Sequence, residues 1–405
     1  MSAVGRVSCI SLAMGMVLYG CAAASAVDEA PAAPVRTDPK GLGFDEQRFR
    51  YIDEAVAADL AAKKLPGCVV LIGRFGSTAF LKAYGDRAVE PAREPMTTDT
   101  LFDLASITKP VATASSVMLL VERGKLRLQD RVAAHIPEFG QNGKSDITVL
   151  QLLTHQSGLI PDNPVEDYND GRDKAFERIF ALKPLEAPGA KFMYSDVGFI
   201  VLGELVQRVS GQNLADFTRE NLYAPLGLKR TGYLPATELQ QTAAPTEQRD
   251  GKWLRGVVHD PRAYHLGGVA GHAGLFSTAE ELAKIASMFL HRGQNNYQVL
   301  GQAPTSVRVL HWATVAKMIA PVTLPGGNVR GLGWDILSSY SGNRGDLLSP
   351  AAYGHGGFTG TSLWIDPQTH LIVIFLSNRV HPDGKGNVNH LAGRIGAIAA
   401  GALVY

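Results

Sequence analysis

The stretch GHGGFTGTSLWIDPQTHLIVIFLSN, residues 354–378, decides the fold. Two apolar runs flank Asp366-Pro367, a dipeptide that opens turns, so the segment reads as strand, turn, strand. A matching signal stands near the other end of the chain. GCVVLIGRFG (67–76) and TAFLKAYG (78–85) are strand-like runs joined too tightly for anything but a hairpin. Between the two lie mainly helical patterns: VATASSVMLLVERG (111–124), ITVLQLLTHQSG (147–158), DVGFIVLGELVQRVSG (196–211) and NLADFTRENL (213–222). Ser277-Thr278-Ala279-Glu280 reads as a capping box ahead of EELAKIASMFLHRG. Apolar residues at Phe49, Ile52, Val56 and Leu60 make a helical stripe before the first hairpin, and HLAGRIGAIAAGALVY (390–405) reads as a terminal helix. Strands at both ends with helices between them predict an α+β fold. One antiparallel sheet, assembled from both termini and flanked by terminal helices, carries a mainly helical second subdomain at about 106–270.

The 405 residues are 45% hydrophobic and 19% charged, enough for a sizeable core and against wholesale disorder. A net charge of +1 without a dense Lys/Arg tract argues against nucleic acid as a partner. Arg6 followed by VSCISLAMGMVLYG is too short a run for a bilayer span and reads as a signal peptide, residues 1–26. Two processing sites compete: Ala24-Ser25-Ala26 suits leader cleavage, whereas Leu18-Tyr19-Gly20-Cys21 resembles a bacterial lipobox with lipidation of Cys21. Export to the periplasm or cell envelope, lipid-anchored in the second case, is the expectation. Residues 27–43, rich in Pro and Ala, read as a linker, and the domain itself runs from 44 to 405. Cleavage after Ala26 leaves Cys68 without a partner, in an apolar run where a buried strand residue is expected.

Three short motifs carry the chemistry. In FDLASITKP (102–110), Lys109 follows Ser106 by three residues, which on a helix puts both on one face. A lysine amine there can withdraw the serine proton if its pKa is lowered, and a helix start favours negative charge beside it. Alone, the spacing is equally that of a capping serine with a solvated lysine. FMYSDVGF (192–199) places Tyr194 and Asp196 at the start of a helical run, and GHGGFTGT places His355 beside Gly356 and Gly357, which leave room for close approach to the backbone.

Taken in order, these motifs resemble the serine β-lactamase and penicillin-binding protein superfamily, in particular its class C branch. That branch also holds D-alanyl-D-alanine carboxypeptidases and esterases. LLTHQSGL and GLFSTAEELA are similar to family segments, and the likeness spans roughly residues 45–405. The resemblance implies that Ser106 is a nucleophile carrying an acyl group. Lys109 and Tyr194 would take its proton, and the backbone N–H groups of Ser106 and Phe358 would form the oxyanion hole. Which of Lys109 and Tyr194 is the base stays open. His355, Gly356 and Gly357 would line the opposite wall. Two positions depart from the pattern. Asp196 stands where the family has Asn and, once ionised, can only accept hydrogen bonds, which bears on substrate preference. His-Gly-Gly replaces Lys-Thr-Gly and is more like the carboxypeptidase and esterase members.

VVHDPRAYHLGGVAGHAGLFS (257–277) resembles a subgroup of exported hydrolases that includes muropeptide amidases and a periplasmic penicillin-binding esterase. His259, Asp260 and His272 are its candidates for substrate contact. Their spacing matches no zinc pattern, and neither metal nor cofactor is expected. His155 reads as a buried structural histidine. The expected function is an exported serine hydrolase acting on cell-wall peptides, as a D-alanyl peptidase or muropeptide amidase. A carboxylesterase or β-lactamase of the same family comes next, and a non-catalytic penicillin- or muropeptide-binding sensor is the alternative of another class. The partner is then a small molecule or peptide, and oligomeric state is not legible.

Overall fold

The computed structural model describes residues 38–295 and 307–404. The expected leader, Cys21 and most of the linker lie outside the described residues. Residues at the linker's end are packed against the domain: Leu42 is buried, and its carbonyl accepts from Arg74 Nη1 at 2.8 Å.

The chain enters through α1 (Arg50–Ala61), whose buried residues Ile52, Ala55, Val56 and Asp59 fall on one face. The hairpin of β1 (Gly67–Arg74) and β2 (Ser77–Ala88) follows, edged by β3 (Glu94–Pro95). After β4 (Phe102–Asp103) come the helical elements, among them α2 (Ser115–Glu122) and α3 (Asp196–Ser210). β5 (Gly232–Tyr233), β6 (Leu275–Ser277) and α4 (Ala279–Leu290) lead back to the sheet. The last strands are β7 (Val322–Thr323), β8 (Val329–Arg330), β9 (Asp335–Leu337), β10 (Tyr353–Gly357), β11 (Thr361–Asp366) and β12 (Leu371–Ser377), and α5 (Asn389–Gly401) closes the chain.

Nine strands form one antiparallel sheet in the order β7-β8-β9-β10-β11-β12-β1-β2-β3. The two ends of the chain meet at β1 and β12, in a register that pairs Val70 with Phe375 and Ile72 with Val373. Both faces of this central pair are covered. Cys68, Val70, Ile72, Val373 and Phe375 pack with α1 and α5, while Val69, Leu71, Ile374 and Leu376 join the core shared with the helices. Double-sided burial is why these strands read as unbroken apolar runs rather than as an alternation. Burial pushes the Cys68 thiol well above its usual range, so it is an inert packing residue.

A three-stranded sheet, β4-β6-β5, holds the segment before Ser106, pairing Phe102 with Ser277 and Asp103 with Phe276. Two helix starts differ from expectation. Ser106 sits in a 3₁₀ turn (Ala105–Ile107) followed by a π-helical stretch (Lys109–Ala114) before α2, and it caps neither. Pro110 supplies no N–H to a regular helical ladder here. At α4 the cap is Thr278, accepting from Glu281 N at 3.3 Å, and no reciprocal box forms. The Glu281 carboxylate instead accepts from the Lys229 and Arg230 backbone at 2.8 and 2.9 Å.

Candidate active site

Ser106 is held by a strained turn. Ala105, just before it, has φ +45°, a left-handed conformation that costs a residue with a Cβ about 1–2 kcal/mol. Asp103 pins it: one carboxylate oxygen accepts from Ala105 N at 2.8 Å and the other from His259 N at 2.7 Å. Burial raises the Asp103 pKa, and these backbone donors work against the rise.

Behind the serine, Lys109 is fully buried. Its Nζ donates to Ser106 Oγ at 2.9 Å and to the His272 carbonyl at 3.2 Å, and it lies 2.7 Å from Asp196 Oδ1. Burial alone would depress its pKa, but the Asp196 carboxylate outweighs that and the pKa is raised. The condition for a lysine base, a lowered pKa, is not met at rest, where Lys109 is an ammonium. The Tyr194 ring stands 4.9 Å from Lys109 Nζ, and burial raises the phenol's pKa against the pull of the ammonium. Its ring lies between His155 (centroids 4.4 Å apart) and Tyr340 (4.6 Å). His155 is buried, accepts from Ser195 N at 3.1 Å through Nδ1, and so fixes the entry to α3. Ser195 caps that helix by accepting from Gly198 N, which places Asp196 in the first turn, beside Lys109.

On the facing wall, His355 Nδ1 contacts the Gly356 carbonyl at 2.7 Å, leaving Nε2 buried without a partner. Burial, with Arg330 and Lys109 nearby, lowers its pKa well below the usual histidine range, so the imidazole is neutral. The glycines, which line the cleft, also serve packing. A Cβ on Gly357 would stand 2.2 Å from Thr361 Oγ1 and 2.4 Å from the Leu104 carbonyl, and one on Gly356 would stand 2.2 Å from Asn343 Nδ2. Their absence lets β10 lie directly against the turn that carries Ser106.

The 257–277 loop forms the third side. His272, buried, meets Asp260 Oδ1 through Nε2 at 2.8 Å. Burial disfavours the Asp260 charge, but His272, the Ala263 N–H and Arg262 outweigh it and hold the pKa well below the carboxylate range. His259 meets Glu247 and stacks on Phe358, centroids 5.5 Å apart. One cleft of about 720 Å³ is lined by Ser106, Tyr194, Asp196, His259, Asp260, His272, His355, Gly356, Gly357 and Phe358. Lys109 lies beneath it.

Four further residues stand at the cleft or behind it without a local motif to announce them. Asp103 reads as a strand end. Arg330 is fully buried, with Nη1 3.4 Å from Asp335 while Nε and Nη2 have no partner. Tyr340 is half exposed, and Asn343 accepts from Trp364 Nε1 at 3.1 Å. A lone arginine in a strand run carries no periodic signal, so nothing in RGLGWDIL marks Arg330. Asp196, Asp260 and His272 bring ligand-type atoms within 4.8 Å of one another. Lys109 already balances Asp196 and His272 already meets Asp260, so the trio reads as part of a proton-bearing network.

A family profile described as Beta-lactamase matches residues 52–397. The chain belongs to the β-lactamase family. Within it, an N-acetylmuramyl-L-alanine amidase of Bacillus subtilis (strain 168) is 34% identical over 376 residues, 84% of this chain and 82% of the relative. A protein of Escherichia coli (strain K12), named as a D-alanyl-D-alanine carboxypeptidase, is 33% identical over 408 residues, 90% of this chain and 91% of the relative. Among solved structures, EstCE1, a hydrolase with promiscuous acyltransferase activity, superposes with TM-score 0.68 at 21% identity, covering 89% of this chain and 99% of its own. A penicillin-binding protein homologue from Caulobacter crescentus gives 0.67 at 22%, covering 88% and 98%. At such identities these two speak for the fold, the α+β arrangement expected of this β-lactamase-family hydrolase.

Proposed function

We propose that this hydrolase is exported and forms an acyl-enzyme on Ser106, cleaving amide or ester bonds of cell-wall peptide-type substrates as a D-alanyl peptidase or muropeptide amidase. One observation carries the reading: the Ser106 hydroxyl lies 2.9 Å from the amine of a fully buried lysine, at the floor of a cleft. Ser106 Oγ attacks the carbonyl, the N–H groups of Ser106 and Phe358 receive the oxyanion, and Lys109 with Tyr194 handles the proton. The unpartnered nitrogens of Arg330 suit a carboxylate on the leaving amino acid, a group that both relatives' names imply. His259, Asp260 and His272 contact the substrate from the loop side. Export rests on the leader pattern of residues 1–26, with lipidation of Cys21 as its anchored form.

Incubation with a fluorescent fluorophosphonate, comparing wild type with Ser106→Ala, tests the reading. Covalent labelling lost in the variant is the expected result. An unlabelled wild type that binds muropeptides would instead make the protein a sensor. A carboxylesterase is the second reading, favoured by the neutral His355 wall and by the fold shared with EstCE1. Turnover of muropeptides against simple esters and a chromogenic cephalosporin ranks the substrates.

A further inference from the structure

Lys109 raises a problem that the acyl-enzyme reading does not answer. An ammonium cannot take the Ser106 proton, and a buried, protonated phenol cannot either, yet both are what the resting site holds. A third group completes the line. Ser106 Oγ, Lys109 Nζ and Asp196 Oδ1 follow one another at 2.9 and 2.7 Å, and Asp196 itself opens on the cleft. The geometry points to Asp196 as the residue that stores and returns the transferred proton, through Lys109, in each acyl-transfer step. It is a positioning residue, acting through the lysine, and the inference rests on Ser106 being the nucleophile.

The proton count closes. Lys109 passes one proton to Asp196, becoming an amine beside a carboxylic acid. The amine takes the proton from Ser106 as the Oγ–carbon bond forms, giving an ammonium next to the acid. Collapse of the tetrahedral species breaks the bond to the leaving group, which takes a proton from Tyr194. Tyr194 is refilled from Lys109, and Lys109 from Asp196. Water attacking the acyl group repeats the sequence and returns a proton to Ser106.

Substrate binding favours the first transfer. Asp196 is one-fifth exposed in the open cleft, and covering it removes the water that supports the separated charges. The neutral pair then costs less than it does at rest. Where the family pattern has Asn, no such store exists, because an amide cannot take up the proton. The surrounding charged and titratable groups are Asp162, Asp260 with His272, and Arg262 on the loop side, and Arg330, Tyr340, His155 and His355 on the other. Asp162, whose pKa burial and Asp196 raise together, lies on the same wall.

The test is the second-order rate of fluorophosphonate labelling against pH for wild type, Asp196→Asn and Asp196→Glu. Fluoride needs no proton to leave, so the rate reads removal of the Ser106 proton. If wild type is not labelled, the acyl-enzyme reading itself fails, independently of Asp196. With the store in place, wild type is labelled well below the pH at which the Lys109 ammonium loses its proton, and Asp196→Glu keeps that profile. Asp196→Asn must wait for the Lys109 ammonium to lose its proton. Its limb moves alkaline by about one pH unit or more, and labelling at neutral pH falls about tenfold or more while the alkaline rates converge. A limb that moves acidward in Asp196→Asn, or a variant-to-wild-type ratio constant across pH, overturns the inference. If Asp196→Asn does not fold, the wild-type profile decides: labelling well below the pH at which an ammonium loses its proton supports the store, and labelling only above it refutes it.

Discussion

At the scale of single residues, Tyr194 separates chemistry from packing. Its ring is clamped between His155 and Tyr340, so Tyr194→Phe keeps both stacks and loses the phenol alone. The expected outcome is a thermal midpoint corresponding to a loss within about 1 kcal/mol, with labelling of Ser106 reduced about 10²–10⁴-fold. Equal losses of stability and labelling would make the tyrosine a packing residue. The two buried histidines give a pH prediction. Burial, Arg330 and Lys109 lower the pKa of both His155 and His355 far below 6.5, so the unfolded chain binds more protons than the fold under acid conditions. Their contribution is complete above the unfolded pKa and is lost as pH falls through it toward the folded values. Each steepens the loss by up to about 1.4 kcal/mol per pH unit. Denaturant titrations below about pH 6.5 should show this slope, and His355→Gln should flatten it.

At the scale of elements, the closeness of β10 to the turn that carries Ser106 is the feature most open to test. Gly357→Ala would drive a methyl into Thr361 and the Leu104 carbonyl. Overpacking of this kind costs about 1–3 kcal/mol, and here it also pushes β10 away from the turn that carries Ser106. Labelling should fall more than stability alone explains. Gly124→Ala is the control: φ is +67° but nothing stands within 4 Å of its Cβ, so about 1 kcal/mol of strain and unchanged labelling are expected. The same elements show what the sequence could and could not disclose. Helix α3 was legible because its apolar period and its closing glycine, Gly211, agree, and the structure gives that glycine φ +76°. The 3₁₀ and π turns around Ser106 were not, since their cause is tertiary: Asp103 ties Ala105 to His259 across the small sheet. Nor could spacing show that Asp196 reaches Lys109, a contact made only when α3 docks beside the turn. The glycines of β10 were visible, but not that Gly357 also makes way for the Leu104 carbonyl and Gly356 for the Asn343 side chain.

At the scale of the molecule, the same topology that made the fold readable governs how it forms. The apolar hairpins near each end were plain in the sequence, and they meet as β1 and β12 at the middle of the sheet. The central pairing therefore joins residues from opposite ends, and its loop-closure cost precedes any stabilisation from it. A chain ending before Leu371 would lack β12 and α5 together. β1 would then become an edge strand, and Val70 and Ile72 would lose Val373 and Phe375 on one face as well as Leu391 and Ile395 of α5. Such a fragment keeps Ser106, Lys109, Tyr194 and His355 in sequence, but the strands that carry His355 are no longer joined to β1. It should show no cooperative unfolding transition and no labelling of Ser106. Supplying residues 371–404 as a separate chain should restore both where the two pieces associate, measured by far-ultraviolet circular dichroism and fluorophosphonate labelling of the mixture. Labelling of the first piece alone at the wild-type rate would mean that the reactive turn is organised by its small sheet and helices, without the nine-stranded sheet.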